Sequence, residues 1–408
     1  MQEPDPVPSL VAWLDASSED QRRMREIVNL FTERESRDEL GIGQVRDALS
    51  DTLFPGTSTL LTRARYLVLI PWCFVAAERG GGGPTTIAGR VDENERLLIP
   101  ALKADGDSEG LLGRLAGRSL KNLPSALYWV ALRQFGILSS PGLGLQDAIE
   151  LGLPTLSGDD EGDGAALGAW SATLPPVPEG FPTNTDGGFR LSSGEAGWLQ
   201  DRIREGAQGS LLAHLVDSAP DADSDAPWFD LSARAASGEP RAALDHAELF
   251  SFGMHGAALL YNLLLAEKYE AAGFDTMSAP VDRYRDRLSG WELDRSRLSE
   301  RLREWDRGDF WRLVLARNPR VAGASRRFVD DWLSLVTADT DDLTGSVASR
   351  DFIARREASH KRSQARLSNQ KLLASWQGAS GAGALVFRWP QIQRIVLDIH
   401  KGLEQADA

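Results

Sequence analysis

Apolar residues recur at helical spacing through most of the chain, and this periodicity is the strongest constraint on its fold. The segments 17–36, 243–273 and 282–305 each place apolar side chains three and four residues apart. Strand-like runs are sparse, and the clearest is "GALVFRWP" at 383–390. The sequence therefore predicts a mainly α, multi-helical, two-lobed protein with few short strands and with helix-turn-helix-like elements as one arrangement of its short helices.

Two lobes are expected because 408 residues exceed the size of one ordinary hydrophobic core. Residues 155–190 combine acidic residues, glycines and prolines without periodicity, which is the composition of a linker or a long loop. We therefore predict an N-terminal helical domain at 1–154, a linker at 155–190 and a C-terminal helical domain at 191–408.

Overall charge limits the partners that the protein can bind. A net charge of -14 argues against a surface that coats nucleic acid or an anionic membrane, so a polyanion would have to meet a local basic patch. Cys73 is the only cysteine, which excludes disulfides and cysteine-based metal sites within one chain. The chain starts without a secretory signal, and its longest apolar run, 64–77, is shorter than the roughly 20 residues of a membrane span. We expect a cytoplasmic protein without membrane contacts.

A cluster of hydroxyl side chains and two arginines precedes this apolar run. A hydroxyl at Thr57 or Ser58 can cap a helix whose first N–H groups, together with Arg63, would bind an anion. Arg65 would point to nearly the opposite face. The same groups fit a capped core helix whose arginines pair with acidic residues, which is the commoner use of this chemistry. Both alternatives stay open, and the candidate anion-binding residues are Ser58, Arg63 and Arg65.

The strongest local positive charge lies at 349–373, where seven basic residues accompany only Asp351 and Glu357. On a continuous helix, Arg362, Arg366 and Asn369 would follow Arg355 by 7, 11 and 14 positions. These four side chains would form one stripe, about 21 Å long at about 1.5 Å per residue. Such a stripe can follow a phosphate backbone, or it can lie against acidic segments of the same chain, as charge runs usually do. The candidate contact residues are Arg355, Arg362, Arg366, Asn369 and Lys371.

Motifs for catalysis or metal binding are absent from the sequence. There is no Gly-Lys pair for a Walker A loop, and neither HExxH nor GxSxG occurs. His246 and His255 are nine residues apart, so a continuous helix would turn them to opposite faces. The acidic run at 221–225 lacks the glycine and the final glutamate of a calcium loop. We therefore predict no metal site, no cofactor and no catalytic residue.

Three segments, 37–72, 109–137 and 359–389, resemble an uncharacterised bacterial family, domain of unknown function 6361, and the likeness extends over nearly the whole chain. The resemblance brings no catalytic residues with it. It implies a bacterial protein that accompanies helicase-containing anti-phage defence clusters.

We therefore expect a non-catalytic accessory or adaptor protein of a bacterial anti-phage defence system. Its basic segment would contact DNA or RNA, or a helicase or other defence protein. One alternative is an unrecognised metal-dependent nuclease or hydrolase built around Arg63 and Arg65. Another is a scaffold that binds only proteins, through an apolar patch.

Overall fold

A computed structural model describes residues 38–151, 168–338 and 342–405 of the chain. These residues form 16 α-helices and no strand, which confirms the prediction of a mainly α, multi-helical protein. In chain order the helices are α1 (Gly43–Leu53), α2 (Tyr66–Arg79), α3 (Pro84–Ala104), α4 (Pro124–Gln134), α5 (Leu145–Leu151), α6 (Ser193–Gly206), α7 (Leu211–Leu215), α8 (Leu231–Arg234), α9 (Glu239–Ala271), α10 (Pro280–Arg297), α11 (Ser299–Glu304), α12 (Arg307–Arg317), α13 (Gly323–Thr337), α14 (Val347–Lys361), α15 (Gln370–Ala374) and α16 (Trp389–Leu403).

The described residues divide into two compact units, each assembled from separate stretches of sequence. Unit 1 comprises residues 54–151, 168–240 and 388–405, and unit 2 comprises residues 38–53, 241–338 and 342–387. The predicted division into 1–154, 155–190 and 191–408 stays a prediction, because residues 155–167 of the expected linker lie outside the described residues. The helices α6, α7, α8 and α16 share unit 1 with α2 to α5.

Unit 1 is built around α2, whose residues 66–74 are all buried. This helix packs against α3 and α4, while α16 packs against α6. The contact between α16 and α6 is close at Gly402, where a Cβ atom would lie 2.7 Å from the Cβ atom of Ala196. Glycine is therefore required at this position, since a larger residue would push the two helices apart.

Unit 2 is built around α9, a helix of 33 residues. By length and composition α9 could cross a membrane, but 78% of its most apolar window is buried inside the structure, and core helices of soluble proteins pass the same test. Gly253 and Gly256 admit the large side chains of neighbouring helices, and the indole N–H of Trp332 donates to the Gly253 carbonyl at 2.8 Å. At Gly256 a Cβ atom would overlap the ring of Trp291. The apolar length of α9 is thus used for packing within unit 2.

The predicted strand at 383–390 is wrong. Phe387 and Arg388 have φ angles of 50° and 67°, which lie outside the extended region of the backbone map. The chain turns there and enters α16 at Trp389. The isolated antiparallel bridge between Leu138 and Trp170 is the one β pairing in the described part of the chain.

A buried carboxyl group joins α3 to the start of α4. Glu95 is 1% exposed, and it accepts hydrogen bonds from the backbone N–H and the hydroxyl of Ser125, each at 2.7 Å. Burial raises the pKa of Glu95 to about 7, although both Ser125 donors act in the opposite direction. The folded protein therefore retains the Glu95 proton at pH values where an unfolded chain releases it.

The substitution Glu95→Gln should make the protein less sensitive to pH. The stabilising contribution of the Glu95 proton is complete below about pH 4.5 and is lost as the pH rises through about 7. The reason is that the pKa of Glu95 is higher in the folded protein than in the unfolded chain. The variant should be more stable than the wild type by about 1–3 kcal/mol at about pH 8, with a smaller difference at about pH 5. Urea unfolding at the two pH values measures this, and an equal difference at both would contradict it.

Candidate nucleic-acid interface

The hydroxyl groups ahead of the apolar run do not cap a helix, so that part of the prediction is wrong. Helix α2 begins at Tyr66, eight residues after Ser58, and its N-terminal cap position has no side-chain hydrogen bond. Thr57 and Ser58 lie between two turns, outside any helix, and are buried. The Tyr128 hydroxyl accepts a hydrogen bond from the backbone N–H of Arg63 at 3.1 Å, which helps to hold this segment in a non-helical path. The hydroxyl groups therefore do not face an incoming anion.

Arg63 is buried in a network with acidic residues. Its Nε and Nη2 atoms donate to the two carboxylate oxygens of Asp398 at 2.9 and 3.1 Å. Its Nη1 atom donates to Asp107 at 2.7 Å and to the carbonyl oxygen of Glu109 at 3.0 Å. The hydrogen bond from Arg63 lowers the pKa of Asp107. Because each of its nitrogens already has an acceptor, Arg63 would have to give up these bonds to bind an external phosphate.

Arg65 is even less accessible, at 3% exposure. Its Nη1 atom donates to the carbonyl oxygens of Thr185 and Gly188 at 2.8 and 2.7 Å, and its Nη2 atom donates to Glu195 at 3.0 Å. Glu195 also forms a capping box with Ser192 at the start of α6. Ser58 thus neither caps the helix nor faces an anion, whereas Arg63 and Arg65 pair with acidic residues as the structural alternative expects and tie distant segments of unit 1 together.

The basic segment at 349–373 is not one helix, so the predicted stripe does not form. Helix α14 ends at Lys361, and Arg362 follows with a φ angle of 51°. Two short 3-10 turns then lead into α15. Glu357 explains the break: it is fully buried, and its carboxylate accepts the backbone N–H groups of Arg366 and Leu367 at 2.7 and 3.1 Å. These bonds turn the chain back against α14.

Several of the predicted contact residues are used inside unit 2. Glu39 is buried and pairs with Lys361 at 3.2 Å and with Arg366 at 2.7 Å. Asn369 caps α15 by accepting the backbone N–H of Leu372 at 3.3 Å. Arg366 and Asn369 therefore have structural roles, as the second alternative for this segment proposed.

Arg356, which precedes the buried Glu357, also faces inward. It donates to the carbonyl oxygens of Leu40, Gly41 and Ala324 at 2.7, 3.2 and 3.1 Å. Burial lowers the pKa of Arg356. These bonds hold the segment before α1 and the start of α13 against α14.

The segment 38–44 connects two regions that are far apart in sequence. At its start, the carbonyl oxygen of Asp38 lies 3.1 Å from Nε2 of His360, near the end of α14. At its end, Gln44 donates to the carbonyl oxygen of Arg320 at 3.3 Å and accepts the backbone N–H of Ala322 at 2.9 Å. The turn between α12 and α13 therefore lies near the C-terminal part of α14.

Exposed arginines lie on or next to α12, α13 and α14, and we call them the basic surface of unit 2. They are Arg317, Arg320, Arg327, Arg355 and Arg362. Within the described ranges none of these five side chains forms a hydrogen bond or an ion pair. Lys371 on α15 is also exposed and has no such partner there, but no contact ties it to this junction. Of the residues predicted at 349–373, the structure thus leaves Arg355, Arg362 and Lys371 accessible.

Three members of the basic surface were missed by the sequence prediction, although a signal for them exists. Residues 310–329 contain five arginines and no acidic residue, a bias as strong as that of 349–373. Arg312 and Arg326 in this run pair with Asp309 and Asp330, whereas Arg317, Arg320 and Arg327 have no ion pair with any residue that the structure describes. Among the described residues, no group of three His, Cys, Asp or Glu side chains is placed to hold a metal ion.

Removing the partner of Arg63 should destabilise the protein strongly. We expect Asp398→Ala to cost about 3–5 kcal/mol in the free energy of unfolding, because it leaves a buried guanidinium without its bidentate acceptor. The matched control Asp217→Ala breaks an exposed pair with Arg204 in the same unit and should cost less than about 1 kcal/mol. Equal costs for the two variants, measured by urea unfolding, would show that Arg63 does not organise unit 1.

Comparison with known proteins identifies the family of the chain but not its activity. The profile of DUF6361, a family of unknown function, matches residues 8–401. No curated protein matches the chain, and no solved structure matches it. Since the match extends over nearly the whole sequence, the chain belongs to the DUF6361 family of unknown function.

Proposed function

We propose that this protein is a non-catalytic, nucleic-acid-binding accessory or adaptor protein that works in the cytoplasm as part of a bacterial anti-phage defence system. The observation that carries the proposal is the basic surface of unit 2. Its five arginines are exposed and have no acidic partner in the described part of a chain whose net charge is -14. Arginine side chains in such a position can bind phosphate groups through two hydrogen bonds each.

Comparison with the other arginines of the protein supports this proposal. Arg63, Arg65 and Arg366 meet carboxylates inside the protein, and many surface arginines pair with an acidic residue within the same helix. An acidic chain therefore has carboxylates to neutralise its arginines, yet in the described ranges none of them pairs with the arginines of the basic surface. External phosphates would supply the missing negative charge, and the released counterions would favour binding.

The nuclease alternative receives less support from the same contacts. It placed a catalytic centre around Arg63 and Arg65, where a metal would need carboxylates that are available as ligands. Asp398 and Glu195, the buried carboxylates at these arginines, accept hydrogen bonds from them instead. We therefore favour an accessory role in which a partner such as a helicase performs the chemistry and this protein contributes nucleic-acid contacts.

Reversing three charges of the basic surface should strongly weaken binding to nucleic acid. The variant carries Arg320→Glu, Arg327→Glu and Arg355→Glu, and each substitution removes one cation that has no acidic partner among the residues the structure describes. Arg366 is left intact, because a glutamate there would stand beside Glu39. Binding is measured by fluorescence anisotropy with labelled duplex DNA and with single-stranded DNA and RNA at about 50 and about 200 mM salt.

A matched control separates a specific surface from net charge. The variant Arg297→Glu, Arg301→Glu and Arg312→Glu changes the net charge equally within unit 2, but its arginines are exposed and already paired with Asp294, Glu248 and Asp309. We expect wild type and control to bind duplex DNA with a steeper salt dependence than the surface variant. The slope of log K against the logarithm of the salt concentration should differ by about 0.9 per lost phosphate contact. Absence of wild-type binding at low salt, or equal losses in both variants, would contradict the proposal.

A further inference from the structure

Two large apolar side chains project from unit 1 where the chain enters α8. Phe229 is 68% exposed and Leu231 is 77% exposed. Single exposed apolar residues are common on protein surfaces, but these two are only two positions apart, and the partly exposed Trp228 precedes them. The rings of Trp228 and Phe229 meet at a centroid distance of 6.1 Å. We call Trp228, Phe229 and Leu231 the apolar tip of unit 1.

Asp230, which lies inside the apolar tip, explains why its neighbours face outward. Its side chain is fully buried and accepts hydrogen bonds from the backbone N–H groups of Asp221 and Ala233 at 2.7 and 2.8 Å. The hydroxyl of Ser224 donates to the same carboxylate at 3.1 Å. Asp230 has an extended backbone, with a φ angle of -83° and a ψ angle of 129°. Since adjacent side chains of an extended backbone point to opposite sides, the inward aspartate turns both neighbours toward solvent.

Two helices of unit 1 hold the loop that carries the apolar tip. On α16, the side-chain amide of Gln393 donates to the carbonyl oxygens of Asp221 and Ser224 at 2.6 and 3.1 Å. On α7, Nε2 of His214 lies 2.8 Å from the carbonyl oxygen of Ser232. The loop is therefore ordered before a partner arrives, so that binding costs little conformational entropy on this side of an interface.

The loop around the apolar tip is acidic. Residues 217–233 contain five aspartates and neither lysine nor arginine, and the next basic residue, Arg234, already has a partner. Asp223 and Asp225 are exposed, and their carboxylates have no ion pair or hydrogen bond with any residue that the structure describes. The backbone N–H of Phe229 donates to the carbonyl oxygen of the residue after Asp225 at 3.0 Å, which brings this aspartate close to the tip.

We propose that the apolar tip docks onto a basic amphipathic helix of a partner protein. The apolar face of that helix covers Phe229 and Leu231, and its lysines or arginines pair with Asp223 and Asp225. An exposed aromatic side chain on a preordered loop is the kind of anchor that dominates the affinity of protein interfaces. All of these residues belong to unit 1, so the proposal does not rest on nucleic-acid binding by unit 2.

The charge of the loop decides between this partner and other occupants of an apolar surface. Nucleic acid and an anionic membrane carry negative charge and would be repelled by the exposed aspartates. A second copy of the chain in a two-fold symmetric dimer would bring the same aspartates against each other. A partner that is both apolar and cationic meets neither obstacle.

The experiment titrates the full-length protein with two helical peptides in a calorimeter. The first peptide places leucines on one face and lysines on the other, and the second replaces each leucine with glutamine. We expect the leucine–lysine peptide to bind with a dissociation constant of about 100 μM or tighter, and the glutamine–lysine peptide to bind at least about tenfold more weakly. The second peptide lacks the apolar face that would cover the tip.

A pair of double variants tests the apolar contact. Phe229→Ser with Leu231→Ser should weaken binding of the leucine–lysine peptide about tenfold, because it removes the anchors of the interface. The matched control, Leu115→Ser with Leu151→Ser, removes two exposed leucines elsewhere in unit 1 and should bind as the wild type does. Circular dichroism confirms that each variant is folded.

A second pair of double variants tests the charge. Asp223→Asn with Asp225→Asn should weaken binding about threefold at about 50 mM salt and less at about 500 mM, because salt screens exposed charges. Glu150→Gln with Glu179→Gln changes the net charge equally at exposed positions elsewhere in unit 1 and should leave the affinity unchanged.

Any of four results would overturn the proposal. Two of them are binding of the leucine–lysine peptide weaker than about 100 μM, and equal losses in a double variant and its matched control. The third is equal affinity for the two peptides, which would reduce the loop to a negative charge. The fourth is a different occupant, shown by a dimer in sedimentation or by binding to phosphatidylglycerol vesicles that Phe229→Ser with Leu231→Ser abolishes. None of these results bears on nucleic-acid binding by unit 2.

Discussion

The bidentate pair between Arg63 and Asp398 is the interaction on which the arrangement of unit 1 depends. It joins residues 335 positions apart, and the same carboxylate accepts the backbone N–H of Ala64 at 3.1 Å, two residues before α2 begins. One aspartate of α16 therefore orients both a side chain and the backbone that leads into the central helix. Because the pair is buried and bidentate, removing Asp398 leaves two buried guanidinium nitrogens without acceptors, and only the pair with Asp107 remains.

Unit 2 uses buried glutamates for a similar purpose. Glu39 accepts from Lys361 and Arg366, while Glu357 turns the chain after α14 by accepting two backbone N–H groups. In both units the acidic excess of the sequence is thus partly used inside the fold. Whether a cation is available to a partner depends on whether a carboxylate lies within reach of it. The arginines of the basic surface are informative because no carboxylate in the described part of the chain neutralises them.

The helical class of the protein was predictable, since the apolar periodicity that specifies α9 and α16 depends only on local spacing. The site was predictable only in part. Arg355, Arg362 and Lys371 were found from local charge, but the stripe that was to include Arg366 and Asn369 required a continuous helix. Glu357 looks like a surface charge in the sequence, and only burial reveals that it ends the helical path.

The remaining errors have equally specific physical causes. The strand at 383–390 failed because two consecutive non-glycine residues, Phe387 and Arg388, adopt positive φ angles, which apolar patterning does not reveal. The candidate anion-binding site at Arg63 and Arg65 is closed because their partners are residues 107, 195 and 398. These partners are too far away in sequence to be predicted from local spacing. The arginine run at 310–329 was visible in the sequence, but its proximity to α14 depends on the bridge that Gln44 makes.

Hydrogen–deuterium exchange of the full-length protein, with and without duplex DNA or single-stranded nucleic acid, tests the central claim most directly. If the cations that lack internal carboxylates are the ones that bind phosphate, amide exchange should slow at 317–327 and at 355–362. Exchange at 57–65, where the arginines are already neutralised, should not change. Protection confined to 57–65, or none at either part of the basic surface while nucleic acid is bound, would contradict this account.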